Sequence, residues 1–309
     1  MTTIQEVLLE LERDYMGNPH YVSGHALATA LAQRLPNRTM TALHVSPGMF
    51  VPGEHGSYPA AHSQTGGKPY MGTHLQPVKS YDDLFLFRDP AQRWLSDGRP
   101  RDAHNTQTLH TFAGKTGYSS ERIFGQPEAK RASKRTMTWY VHVYCYAEES
   151  GHLPLAEAAF EGIQLGGSRN FGFGRVSCVE TRTIDLETLS YARVEAADAY
   201  QLELLSPYVL ESEYPGADSQ SVPWWWDDTD RLRERETKLS KGANSYTLRT
   251  IDHGQVVSYA GSDPVATAKA GVLGVGTHCK YGFGRFRLRP ASDDRVPERE
   301  AGTPSGGSG

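Results

Sequence analysis

Two glycine-rich stretches carry the strongest chemical signal in this chain. Gly166-Gly167-Ser168-Arg169-Asn170-Phe171-Gly172-Phe173-Gly174-Arg175-Val176 recurs without a gap, 110 residues later, as Gly276-Thr277-His278-Cys279-Lys280-Tyr281-Gly282-Phe283-Gly284-Arg285-Phe286. Gly166, Gly172, Phe173, Gly174 and Arg175 return as identical residues and Phe171 as Tyr281, while Ala156 and Ala158 upstream match Ala266 and Ala268. Agreement this dense points to duplication of one unit. Glycine lets backbone N–H groups approach a phosphate closely and take positive φ without a Cβ clash. Arg169, Arg175, Lys280 and Arg285 would add positive charge. Phe171, Phe173, Tyr281 and Phe283 offer faces on which unpaired bases stack, at about 1–3 kcal/mol per base. Alternation along the strand that follows turns Phe173 and Phe283 away from their flanking glycines, so these two are expected in the core. The plain alternative is a bulge or twisted strand entry that binds nothing. Two copies, each with arginine after the last glycine, favour nucleic-acid contact.

Other residues with chemical potential are less patterned. Lys130, Arg131, Lys134 and Arg135 form a basic cluster just before an apolar run, and read either as a solvated loop or as part of a polyanion path. Arg287 and Arg289 share one face with Arg285, a stripe that suits either phosphates or a protected edge strand. His44, His55, His62 and His74 lie in an irregular stretch without metal-ligand spacing, and Cys145, Cys178 and Cys279 have no paired spacing. Neither a zinc site nor a disulfide framework is therefore expected, and no cofactor is implied. Asp82-Asp83 reads as a turn or cap. Trp224-Trp225-Trp226 suits a docking patch or a core wedge equally well.

The elements that must position these residues follow from periodicity. Residues 153–164 and 264–273 are alanine-rich with a proline near the start, which predicts a helix in each. After the glycines both copies switch to apolar–polar alternation, the pattern of a strand. Each unit thus runs helix, glycine loop, strand. A dinucleotide or P-loop cradle has the reverse polarity, with its glycines between a strand and a helix N-terminus. A loop ahead of a last strand suits a β-α-β-β-α-β unit. Strands are expected at Ile4–Glu12, Met137–Glu148 and Tyr200–Pro207, with a pair of strands around Tyr246–Ala260. A helix is expected over Val22–Leu35, stopped by Pro36, and the charged run Asp227–Lys238 is read as helical. Residues 45–127, dense in Gly, Pro and His, read as a long insertion projecting from the first half.

At 309 residues, with 38% hydrophobic, 22% charged and 10% aromatic residues, the chain fits a globular protein of two domains rather than a disordered one. Thirty-two Lys plus Arg against 36 Asp plus Glu give a net charge of -4, so any nucleic-acid contact must use local patches. No basic leader or run of apolar residues long enough to span a membrane is found, and three scattered cysteines suit a reducing cytoplasm.

A helix followed by GxxxxFGFGRV and a strand resembles the glycine-rich loop of the repeat-associated mysterious proteins (RAMPs) of CRISPR systems. Paired units, each with such a loop, resemble the subunit that caps the 5′ end of guide RNA in type III effector complexes. Tyr21–Leu31 is similar to the glycine-led first helix of these proteins. His110 to Cys145, with Lys115-Thr116-Gly117-Tyr118 and Arg122-Ile123-Phe124, resembles the loop entering their fourth strand, and Leu204-Leu205-Ser206-Pro207 their second-unit opening. The likeness touches most of the chain, but only the glycine loops are specific; the acidic net charge and the His-rich insertion depart from the family pattern.

The resemblance implies an α+β fold of two tandem ferredoxin-like (RRM-like) units with antiparallel sheets. The units would cover 1–195, with the insertion at about 45–127, and 196–290, followed by a disordered tail at 291–309. It implies guide-RNA binding in antiviral defence through both glycine loops and the 130–135 cluster, with a large subunit and backbone RAMP subunits as partners and no membrane. Two alternatives stand beside it. One is a metal-independent endoribonuclease of the same superfamily, with His20 or His25 as general base on a ribose hydroxyl. The other is a protein-docking module whose glycine loops only shape the sheets.

Overall fold

A computed structural model of the chain describes residues 2–13, 15–17, 21–52, 73–88, 103–107, 114–118, 138–148, 151–167, 169–227, 229–241 and 244–292. Its first half begins with β1 (Thr3–Leu11), β2 (Tyr15–Met16) and β3 (Tyr21–Val22), continues through helices α1 (Gly24–Leu31) and α2 (Asn37–Ala42), and returns in β4 (Leu43–Val45) and β5 (Gly48–Pro52). β6 (Ala103–Gln107), β7 (Gly114–Tyr118), β8 (Trp139–Ala147) and β9 (Val176–Asp185) complete it. The main sheet runs β3-β5-β8-β1-β9, with β4 also paired to β8, and every described pairing in it is antiparallel. β1 is central and covered on both faces. Val7, Leu9 and Leu11 meet α1 and the alternate residues Trp139, Val141, Val143 and Cys145 of β8 in one core, as period-2 patterning requires. α1 starts where the Ser23 side chain accepts the Ala26 N–H at 3.2 Å, and it buries Leu27, Ala28, Ala30 and Leu31 in that core.

The second half opens with the short helix α3 (Ala192–Glu195), β10 (Tyr200–Leu204), β11 (Tyr208–Ser212) and β12 (Trp226–Asp227). It continues through β13 (Glu234–Lys241), β14 (Asn244–Ile251), β15 (Val256–Tyr259), helix α4 (Pro264–Leu273) and β16 (Phe286–Pro290). One sheet runs β12-β15-β10-β16 and a second β11-β14-β13, both antiparallel. Pro264 occupies the first turn of α4, and the Asp263 carboxylate accepts the Ala266 N–H at 2.9 Å. Ala268 and Val272 of α4 then pack with Leu202, Leu204, Phe286 and Leu288 in a second core. In both halves the last strand pairs with the first, and the two sheets share one relative order.

A strap from the first half joins the two. Residues 73–88 carry a 3-10 turn, Asp82–Arg88, and send Tyr81, Leu84 and Phe85 into the second core. On the outer face of the first sheet Glu6 is buried and accepts from His142 Nε2 at 2.7 Å and from Arg182. Burial alone would raise the Glu6 carboxyl, but the hydrogen bond and charge of His142, with the charge of Arg182, hold it below the usual carboxylate range. Arg182 also donates to the Gln76 carbonyl, and Tyr144 Oη donates to the Leu84 carbonyl at 2.9 Å. Asp83 caps the strap's turn by accepting the Lys79 and Ser80 N–H groups at 3.0 and 2.9 Å, as its sequence context predicts.

The architecture is α+β, as expected, but several elements differ from the sequence reading. Residues 153–164 form only a 3-10 turn at Glu157–Ala159, because Ala156 is extended before it and Gly162 takes a positive φ of 66° after it, a path that packs Leu155, Phe160 and Ile163 inward. The charged run Asp227–Lys238 is not a helix: it holds a 3-10 turn and most of β13, whose outward charges pair across strands, as Arg249 does with Glu234 at 2.7 Å. β14 and β15 do not pair with each other, for β14 joins β11 and β13 whereas β15 joins β10 and β12. Residues 73–88 do not project; they pack between the sheets. Among the described residues no helix is long and apolar enough to cross a membrane. The expected tail beyond residue 292 lies outside the described residues.

Candidate nucleic-acid interface

Among the described residues the two glycine loops repeat the same backbone turns. Gly166, Gly172 and Gly174 have φ of 80°, 84° and 70°, and Gly276, Gly282 and Gly284 have 83°, 84° and 69°. A 3-10 turn crosses each loop, at Arg169–Phe171 and Cys279–Tyr281, closed by Gly172 N–H on the Arg169 carbonyl and Gly282 N–H on the Cys279 carbonyl, both at 2.9 Å. The neck of each is tied by Leu165 N–H to the Gly174 carbonyl at 2.8 Å and Val275 N–H to the Gly284 carbonyl at 2.9 Å. A Cβ on Gly174 or Gly284 would stand 1.9 Å from the Leu165 or Val275 carbonyl oxygen, so the motif's last glycine is required by contact as well as by φ.

Their surroundings differ. The first loop is rooted by Gly167 N–H on the Met16 carbonyl at 2.7 Å and turns its tip outward. Asn170 and Gly172 are exposed, Phe171 is 76% exposed, and Arg169 is half-buried, its carbonyl accepting from Gln164 Nε2 at 2.8 Å. Arg175 is exposed and paired with Glu12 at 3.0 Å. A Cβ on Gly172 would meet nothing within 4 Å. Ser168 lies outside the described residues.

The second loop docks on the first half of the chain. The Tyr281 carbonyl lies against Gly24 at the start of α1, and a Cβ on Gly282 would come within 3.0 Å of Pro47 and the Val45 carbonyl. Phe283 is partly buried against Val209, Leu239 and Leu248, and Phe173 is half-buried, so neither is a full core residue. Arg285 is 4% exposed: its guanidinium donates to the Val272 carbonyl and its N–H to Ser206 Oγ at 2.9 Å. Arg287 is buried against Asp82 at 3.3 Å and over the Phe85 ring at 5.4 Å, and Arg289 is buried near Glu203 and Gln201. The arginine stripe of β16 is therefore interior and does not offer its charge to a surface ligand. Alternation assigned the three to one face, but the strap covers Arg287, α4 covers Arg285, and Arg289 lies against β10.

The outer side of the second loop lines a cleft of about 470 Å³, with His44, Glu148, Tyr214, Asp218, Lys280 and Tyr281 among its walls. Thr277 is half-buried in its lining, and the preceding Gly276 is exposed. His44 Nε2 lies 3.1 Å from Glu148 Oε1, and Lys280 Nζ sits 5.4 Å from the Tyr281 ring centre. Lys241 donates to the Tyr214 hydroxyl, which lowers the tyrosine's pKa and raises the lysine's. His278 takes a left-handed φ of 63°, hydrogen-bonds Ser212 Oγ at 2.8 Å and stands edge-on to Tyr214. Burial, and then the nearby His25 and Lys280, hold His278 below the ordinary histidine range, and burial does the same to His44 against the pull of Glu148.

His25 does not reach the cleft as a free base. Its Nε2 bonds the Ser240 carbonyl, its Nδ1 is buried, and its ring stands edge-on to Tyr281 at 5.3 Å. His20, His55, His62 and the basic cluster Lys130, Arg131, Lys134, Arg135 lie outside the described residues. Among the described residues no group of His, Cys, Asp and Glu could hold a metal ion. Trp226 is buried in the second core, Trp225 packs on Phe286 and Tyr259, and Trp224 is 80% exposed. Sequence reasoning missed Glu148, Tyr214 and Asp218 of the cleft, which come from separate elements with no shared spacing, and Lys241, which holds the Tyr214 hydroxyl. No protein-family model matches the sequence, and no curated protein matches it.

Proposed function

We propose that this chain binds single-stranded RNA as a RAMP-type subunit of a CRISPR effector ribonucleoprotein. In this reading it works in the cytoplasm, holding the 5′ tag of the guide RNA beside a large subunit and backbone RAMP subunits. The observation that carries the reading is the first glycine loop: an outward tip that combines open backbone at Gly172, the exposed ring of Phe171 and the charge of Arg169. Its twin at the same place ahead of β16 supports it. So does the strand order, since second, third, first and fourth is the arrangement of a β-α-β-β-α-β ferredoxin-like unit. On this view the first unit keeps α1 and the second keeps α4, each without its other helix. The RNA path runs over the first loop and the outer face of the second, Thr277 to Tyr281, rather than along Arg285 and its stripe.

The test is fluorescence anisotropy with labelled single-stranded RNA of about ten residues. Binding should weaken steeply with salt. Phe171→Ala should lower affinity roughly 5- to 150-fold, the equivalent of one lost stacking contact. Binding that is absent in the parent protein, or equal in the parent, Phe171→Ala and Gly172→Asp, rejects the proposal.

A further inference from the structure

The cleft beside the second glycine loop has a lining of mixed character. Tyr214 and Tyr281 give it aromatic walls, and Lys280 adds a cation from the loop. Glu148, just past the end of β8, and Asp218, from the β11–β12 connection, add carboxylates. A bare phosphate is repelled by such carboxylates, and an apolar peptide gains nothing from the charges. A nucleotide uses all three features: a flat face to stack, a phosphate for the cation, and an exocyclic amino group for the acceptors. The volume of about 470 Å³ lies in the range of small-ligand sites.

The walls are also held in place before any ligand arrives. Tyr214 is fixed by Lys241 on its hydroxyl and by the Tyr246 ring at 5.1 Å. His278 accepts a left-handed backbone, rare outside glycine, and anchors itself on Ser212 at 2.8 Å. Backbone strain of this kind persists where the surroundings over-determine it, and it gathers at ligand clamps.

Resting on the RNA reading above, the geometry points to this cleft as a subsite for one nucleotide whose base carries an exocyclic amino group. Glu148 and Asp218 accept from that amino group, Lys280 meets the phosphate, and a tyrosine ring stacks on the base. Adenine and cytosine satisfy the carboxylates. Uracil puts the carbonyl oxygen O4 where adenine and cytosine carry the amino group, and is disfavoured. The nucleotide is either part of the bound strand or a free mononucleotide, since the chemistry is shared.

The experiment compares labelled oligoadenylate, oligocytidylate and oligouridylate of about ten residues by anisotropy. Unlabelled AMP, CMP and UMP serve as competitors. Adenylate and cytidylate should bind about tenfold tighter than uridylate, and the double variant Glu148→Gln, Asp218→Asn should reduce that preference to about twofold or less. Both side chains are solvent-exposed, so neither substitution disturbs a core. Displacement by AMP and CMP but not UMP assigns the site to free nucleotide as well. A preference without displacement assigns it to a nucleotide within the strand. RNA binding with no base preference, or a preference that survives in the double variant, overturns the subsite while leaving the RNA reading intact. If no RNA binds, the RNA reading fails by itself, and direct calorimetric titration of AMP, CMP and UMP decides the cleft. Uptake of AMP and CMP alone sustains it, and uptake of none or of all three equally removes it.

Discussion

Alanine placed at two glycines of the same loop should have very different costs. Gly172 and Gly174 are two residues apart, both with positive φ, 84° and 70°. At Gly172 a Cβ meets nothing within 4 Å, so Gly172→Ala costs only the left-handed backbone, about 1–2 kcal/mol. At Gly174 the same Cβ would lie 1.9 Å from the Leu165 carbonyl oxygen, and backbone must retreat by about 1 Å before the contact is tolerable. That retreat opens the neck, including the 2.8 Å bond from Leu165 N–H to the Gly174 carbonyl, for a further ~1 kcal/mol. Leu165 and Val176 on either side are fully buried, so the shift also disturbs the first core. Gly174→Ala should therefore lose about 3–5 kcal/mol, at the diagnostic end of the range for point variants. Urea denaturation followed by tryptophan fluorescence measures both losses on the same footing. Equal midpoints for the two variants would refute the claim that the last glycine is set by contact rather than by φ alone.

Arg169→Gln should weaken RNA binding and reduce its salt slope by about 1, whereas Arg285→Gln should lower stability and leave the salt slope unchanged; parallel salt titrations and melts separate them. Glu6→Ala removes the carboxylate that His142 and Arg182 share beneath the strap and should cost about 3–5 kcal/mol in denaturant unfolding, and a loss below ~1 kcal/mol would contradict the buried network. His25, His44 and His278 are all held below their ordinary value of 6.5, so the unfolded chain takes up these protons first. Their contribution is complete above that value and declines as pH falls through it, so Tm should drop between about pH 7.5 and 5.5, less so in His278→Asn.

Much of the fold was legible where local and global preferences agree. The alternation of 137–148, the proline-led alanine run 264–273 and the glycine spacing each name an element that forms as read, because one buried face or one required φ decides it. The failures come where packing overrides local pattern. Residues 153–164 have helical composition, yet Leu155, Phe160 and Ile163 reach the core only from a non-helical path. Asp227–Lys238 is rich in charge, a pattern common to an exposed helix and an edge hairpin, and the partner strand β14 selects the hairpin.

By itself the sequence determined that the motif occurs twice and that the arginines of the last strand share a face. Glycine identity and period-2 alternation are local properties, written residue by residue. Only the tertiary structure decided which loop stays open. The first projects Phe171 into solvent, while the second is pressed against α1 and β4 and leaves one side to the cleft. It also decided that the arginine stripe is interior: Asp82 and Phe85, some 200 residues earlier in the chain, close over Arg287, the Val272 carbonyl of α4 takes Arg285, and Arg289 lies against Glu203 and Gln201 of β10. Burial is set by what arrives from elsewhere in the chain, and no spacing within a strand encodes that arrival.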